Sequence, residues 1–166
     1  RIFEIAPVYQ KIKSNFKETL MLSGLVYGDY IPEQWSDDKR EVNFYDIKGD
    51  IEIISSNTLS INTPKNIVPE AFHPGQVAEL IMDKALVGWV GQLHPAWQQK
   101  YELLGKTYLF ELSIEKLVNL PDVDIKLPTK FPLLRRDISV VVDINIKVGD
   151  MVKEVKSRTI DRIVDF

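Results

Sequence analysis

Several groups of side chains in this sequence have types and spacing that could do chemistry. His73 and His94 each precede a proline. Imidazoles ligate metals, but two histidines with no cysteine make a thin ligand set, and a corner role at a His-Pro turn is the simpler reading. Ser113-Ile114-Glu115-Lys116 has the S-x-x-K spacing of an acyl-accepting serine. The S-D-N and K-T-G elements that support such a serine are absent, which leaves Ser113 as a helix N-cap. Asp46 and Asp50 stand one helical turn apart with Glu52 beside them, a possible magnesium face. A solvated acidic face near a helix N-terminus explains them more simply. Trp89, Trp97 and Phe110 could stack bases, but they fall on apolar faces, where core packing is the better account. Lys126, Lys130, Arg135 and Arg136 form the best candidate contact for RNA phosphates. The same arginines could instead tie two domains together through salt bridges, since Asp137 adjoins them.

Composition bounds what these groups can do. The 166 residues suit one ordinary domain, or one domain and part of another. Apolar residues make up 45%, enough for a core, and the formal net charge of −3 argues against general nucleic-acid binding. An RNA contact would therefore be local. The lack of cysteine excludes disulfides, thiolate metal sites and cysteine nucleophiles, and fits a reducing compartment. No apolar run approaches the ~18 residues of a membrane span, and no signal peptide is recognisable. The chain opens at Arg1 directly in a strand-like run, as a piece of a longer protein would.

The elements that must position these residues follow from pattern. Residues 1–9 and 19–27 read as an antiparallel pair joined by a polar connection, 11–18. Asn43 can cap a helix with Asp46 in a capping-box position, and Phe44, Ile47, Ile51 and Ile54 repeat at helical spacing as one buried stripe. Gly49 inside that helix costs about 1 kcal/mol relative to alanine, which implies a close packing contact. Residues 77–82 and 85–93 form a hairpin around Asp83-Lys84, with rigid corners at His73-Pro74-Gly75 and His94-Pro95. Gly88 and Gly91 mark bulges or places where another backbone comes close. Pro95 starts a helix over 95–103 that places Trp97 and Tyr101 on one face and stops at Gly105. A strand over 107–112 and a short helix over 114–118 follow. Three prolines within 120–132 mark a linker. Beyond it, a strand over 137–142, a helix over 150–156 and a strand over 160–164 make a β-α-β start.

Five segments, in order, carry a family resemblance. Arg1-Ile2-Phe3-Glu4-Ile5, Phe44 to Glu52 (FYDIKGDIE), Phe72-His73-Pro74-Gly75-Gln76 with Gly88-Trp89-Val90-Gly91-Gln92-Leu93-His94-Pro95, Thr107 to Leu117, and Phe131-Pro132 with Arg135-Arg136-Asp137 together resemble the beta chain of bacterial-type phenylalanyl-tRNA synthetase. The resemblance covers nearly the whole chain and implies the C-terminal part of that family's chain.

It also implies an α+β fold. Residues 1–119 would be a degenerate class II aminoacyl-tRNA synthetase-like antiparallel sheet with flanking helices. Residues 120–130 would be a linker, and 131–166 the start of a ferredoxin-like anticodon-binding domain, hence a partial one. Catalytic class II domains grip ATP phosphates with two arginines. By the resemblance Gln10 and Lys116 stand in those places here, and lysine does not reproduce guanidinium geometry. The family therefore implies a scaffold and tRNA-facing surface with no catalytic residue and no cofactor of its own, Arg135, Arg136 and Lys130 being the tRNA-contacting candidates. ATP and Mg2+ would serve the full enzyme, whose shared magnesium ligands lie outside this stretch. An alpha subunit, in a heterotetramer of two alpha and two beta chains, and tRNA would be the partners, in the cytoplasm, with no role for DNA or membrane. The competing reading is a free-standing, non-catalytic RNA- or protein-binding module on the same folds.

Overall fold

The computed structural model describes residues 1–31, 34–35, 39–56, 58–118 and 134–158. The chain divides into two units, Arg1–Asp124 and Ile125–Phe166. Among the described residues of the first, six antiparallel strands form one sheet: β1 (Ile2–Ile12), β2 (Asn15–Tyr27), β3 (Ser60–Asn62), β4 (Phe72–Met82), β5 (Ala85–Leu93) and β6 (Thr107–Ser113). Their spatial order is β1-β2-β6-β5-β4-β3. Helix α1 (Phe44–Ile54) lies between β2 and β3 in sequence, and α2 (Pro95–Lys100) between β5 and β6.

Register separates the two faces of the sheet, because side chains alternate along each strand. Ile5, Leu22, Leu112, Gly88, Leu80 and Ile61 form one row across all six strands. Helix α1 packs on this face over β5 and β6. Its Ile47 and Ile51 are fully buried against Leu80, Val90, Phe110 and Leu112. The capping box forms as the sequence predicts: Asn43 Oδ1 accepts from Tyr45 N at 2.8 Å, and Asp46 Oδ2 accepts from Asn43 N at 2.7 Å. Two details of this helix differ from expectation. Ile54 is 40% exposed, because the buried stripe runs through Ile47, Ile51 and Ser55, four residues apart, and leaves Ile54 at its edge. Gly49 has no close neighbour; no atom lies within 4 Å of the place a Cβ would occupy.

The central hairpin turns at Asp83 and Lys84, both at positive φ (48° and 64°), as a two-residue hairpin turn requires. The strand glycines admit neighbouring backbone as expected. A Cβ on Gly91 would lie 2.5 Å from the Gln76 carbonyl oxygen, and one on Gly88 2.0 Å from that of Glu111. His73-Pro74-Gly75 is a bulge within β4: pairing jumps from Phe72↔Leu93 to Val77↔Gly91.

Three other boundaries move. The polar stretch 11–18 is strand on both sides of a two-residue turn, Lys13-Ser14, because backbone pairing continues (Lys11↔Phe16, Ile12↔Asn15) where both faces meet water. Helix α2 ends at Lys100 rather than near Gly105. Glu102 takes the left-handed conformation (φ 54°), and Glu102 N and Leu103 N bond back to the carbonyls of Gln99 and Gln98, a Schellman closure that needs no glycine. After β6, Ile114–Lys116 is a single 3-10 turn, and Ser113 makes no side-chain cap.

In the second unit, α3 (Val148–Ser157) stands where a helix is expected. Residues 137–142 are not strand; they have no ladder partner among the described residues. The expected strand over 160–164 and the proline-rich stretch 120–132 lie outside the described residues. Among the described residues no helix is long and apolar enough to cross a membrane.

Candidate functional site

The face of the sheet opposite α1 carries the chemistry-bearing row. Glu4, Ser23, Glu111, Trp89, Glu79 and Asn62 stand side by side across all six strands. Three of the six are carboxylates and none is a lysine or arginine. Glu79, in the centre of β4, is 2% exposed. Its Oε1 accepts three hydrogen bonds, from Lys65 N (2.9 Å), Asn66 N (2.7 Å) and Asn66 Nδ2 (2.7 Å). Burial pushes this carboxyl up, but the bonds from Asn66 and Lys65 together outweigh burial and hold it below the usual glutamate range. Glu79 thereby fastens residues 65–66 against the sheet. Trp89 and Phe110 are buried, which matches core packing rather than a stacking platform.

The acidic group on α1 is fully engaged. Arg40 grips Asp46 bidentately at 2.8 Å and 2.8 Å, Arg1 Nε lies 2.9 Å from Asp50, and Lys48 pairs with Glu52 one turn on. The guanidinium of Arg40, with the Asn43 amide, holds the Asp46 carboxyl below its ordinary value. These carboxylates serve cap and ion pairs, so they do not fit a magnesium site. Tyr30 sits between the same two arginines, its ring centroid 3.8 Å from the Arg40 and 5.0 Å from the Arg1 guanidinium carbon. This five-residue knot joins the loop before α1 to the helix.

Both histidines act at corners. His73 Nδ1 accepts from Gly75 N at 3.0 Å, and His94 Nδ1 accepts from Ala96 N at 3.1 Å as the N-cap of α2. Trp97 and Tyr101 stack at 6.1 Å, with Lys100 Nζ 4.6 Å from the indole centroid. Trp97 and His94, with Phe72, Pro69 and Pro74, line a shallow, mostly apolar cleft of about 450 Å³.

Gln10 lies beyond the reach of β6. It pairs with Lys17, further out along β1 than Ala6, whose row contains Ser113. Arg135 and Arg136 are exposed in a segment without regular secondary structure, and Lys126 and Lys130 fall outside the described residues. Sequence reasoning missed Glu79, whose partners are thirteen and fourteen residues away, and the Arg1–Tyr30–Arg40 stack. It also passed over Lys11, Lys13 and Lys17. Their clustering in a polar run was visible, but the strands that carry them were not.

What the fold and its faces define is an antiparallel sheet module, cored on one side by a capped helix and lined on the other by a carboxylate-rich row. The chain belongs to the phenylalanyl tRNA synthetase beta chain CLM domain family, whose model matches residues 1–114. It is 35% identical to the phenylalanine–tRNA ligase beta subunit of Nitrosospira multiformis, over 100% of this chain and 21% of that protein. It is 37% identical to the corresponding subunit of Photorhabdus laumondii (89% and 19%), and 36% to that of Neisseria gonorrhoeae (86% and 18%). The chain thus spans about a fifth of the length of the curated relatives it matches.

Proposed function

We propose that this chain is a non-catalytic part of phenylalanine–tRNA ligase, the enzyme that joins phenylalanine to its tRNA with ATP and Mg2+. The observation that carries this is the family match over residues 1–114. The sheet supports the non-catalytic role. A triphosphate needs cations fixed around it, and the row on the face opposite α1 presents Glu4 and Glu111 instead. On this reading residues 1–119 are a class II synthetase-like sheet, 120–130 a linker, and 131–166 the start of a ferredoxin-like anticodon-binding domain. An alpha subunit holds the active site in a cytoplasmic heterotetramer of two alpha and two beta chains.

The test is phenylalanine-dependent ATP–pyrophosphate exchange. The chain alone should stay at background, while the full beta subunit co-expressed with a cognate alpha chain should co-purify with it and exchange. Exchange by a preparation free of alpha chain would refute the reading.

Within this function Arg135, Arg136 and Lys130 are the proposed tRNA contacts of the second unit. No aromatic neighbour in sequence equips the two arginines to stack a base, so they meet phosphates, which set affinity more than sequence preference. Replacing Arg135 and Arg136 by alanine in the full ligase should weaken tRNA binding broadly. The slope of log affinity against log salt should flatten by about one for each phosphate no longer neutralised, with little change in anticodon discrimination. A lowered melting temperature with an unchanged slope would assign them to domain anchoring.

A further inference from the structure

We propose that the outer half of the β1–β2 hairpin is a second tRNA contact, a two-stranded arm that takes unpaired nucleotides. This rests on the ligase reading above. Strand β2 pairs with β6 only over Met21–Tyr27. Asn15–Leu20 and their partners Pro7–Ile12 therefore project past β6 as a ribbon paired by its own ladder, with the Ile114–Lys116 turn lying against β2. Lys11, Lys13 and Lys17 lie at its tip, and their ammonium groups make no ion pair or hydrogen bond among the described residues. Glu18 is the only acid within residues 7–20, so the arm is a locally positive element in a chain of net charge −3. Phe16 stands directly opposite Lys11, and Tyr9 follows on the same face two residues along β1. They are 69% and 61% exposed. The tip also has a shallow hollow lined by Ile12, Lys13, Ser14, Asn15, Phe16 and Lys17.

Exposed aromatics flanked by free lysines are what single-stranded RNA recognition uses: bases stack on the rings and phosphates meet the ammonium groups. A protein partner fits less well, because lysine is depleted where protein interfaces are buried. The register places Lys11 beside both rings, with Glu18 opposite Tyr9 on the same face, while Lys13 stands in the turn and Lys17 on the other face of the ribbon.

The test uses the full beta subunit assembled with its alpha chain, and an unmodified phenylalanine tRNA transcript as probe. The triple variant K11A/K13A/K17A should bind about tenfold more weakly near physiological salt, and the slope of log affinity against log salt should flatten by about two. The triple arginine variant should keep both values. Phe16→Ala should weaken binding about tenfold with the slope unchanged, because stacking is removed and no charge is. Wild-type affinity and slope in the alanine variants, with phenylalanine activation intact, would overturn the arm and leave the ligase reading standing. Loss of the alpha chain from the variants on purification would assign the arm to a protein interface and overturn the RNA contact. Failure of the wild-type assembly itself to form and activate phenylalanine would remove the ligase reading, and this proposal with it.

Discussion

Gly88→Ala should destabilise the first unit by about 3 kcal/mol, the upper part of the range for forced overpacking. A Cβ there would lie 2.0 Å from the Glu111 carbonyl oxygen and 2.9 Å from the Leu112 side chain. The first obstacle is backbone in the neighbouring strand, which cannot rotate aside. Relief requires β5 and β6 to separate at the Gly88↔Leu112 pair, in the middle of the core. Gly49→Ala provides the opposite case in the same molecule. Its Cβ meets nothing within 4 Å, and the helical backbone accepts alanine freely, so it should stabilise by about 1 kcal/mol. Urea midpoints for the two variants and the parent measure both signs. Equal midpoints for Gly88→Ala and the parent would mean that the strands do not approach as described.

Glu79→Gln should produce the second large effect, and its signature is pH dependence. The carboxyl of Glu79 is held below its unfolded value, so the folded state binds fewer protons than the unfolded state in the acid range. Its contribution is fully present above the unfolded-state value of about 4.3 and is lost as pH falls through the lower folded value. Glutamine keeps the shape and one acceptor oxygen, but it lacks the charge that gathers three donors on Oε1. The variant should melt at a lower temperature than the parent at pH 7. Its melting temperature should then fall less steeply on acidification, so that the two curves converge as pH falls through the lowered folded-state value. Asp46 shifts in the same direction and remains in both proteins, so it does not create the difference. Parallel curves would show that Glu79 carries no linked proton.

Local signals in the sequence were enough for some elements. Asn43 and Asp46 announce a capping box at fixed spacing, and Asp83-Lys84 between two apolar runs announces a hairpin. His-Pro pairs announce corners, because proline restricts the residue before it. What stayed hidden depends on partners far along the chain. Lys11 to Glu18 looks like a connection because nothing in it is buried, yet pairing alone makes it strand. Glu79 reads as one more residue of an alternating strand until Lys65 and Asn66 fold over it. Residues 137–142 alternate like a strand and are not one, since alternation needs a neighbouring ladder to become structure. Gly105 has the chemistry of a helix stop, but Glu102 reached the required conformation first. At the candidate site, the carboxylates of α1 were legible as a surface face, while the arginines that occupy them were not.

The strand order has a consequence in time. β6, the last strand of the sheet to be synthesised, lies in its middle. The β1–β2 and β4–β5 hairpins can each close locally as they emerge, but no ladder joins them until residues 107–113 slot between them. Until then two half-sheets wait with open edges, and the rows that make up the core are split down the centre. Closing them joins residues of β2 and β6 that are eighty or more positions apart, a slow kind of pairing. During translation the nascent chain is therefore most exposed to wrong pairing just before β6 arrives, and a ribosome pause upstream of residue 107 would prolong that exposure.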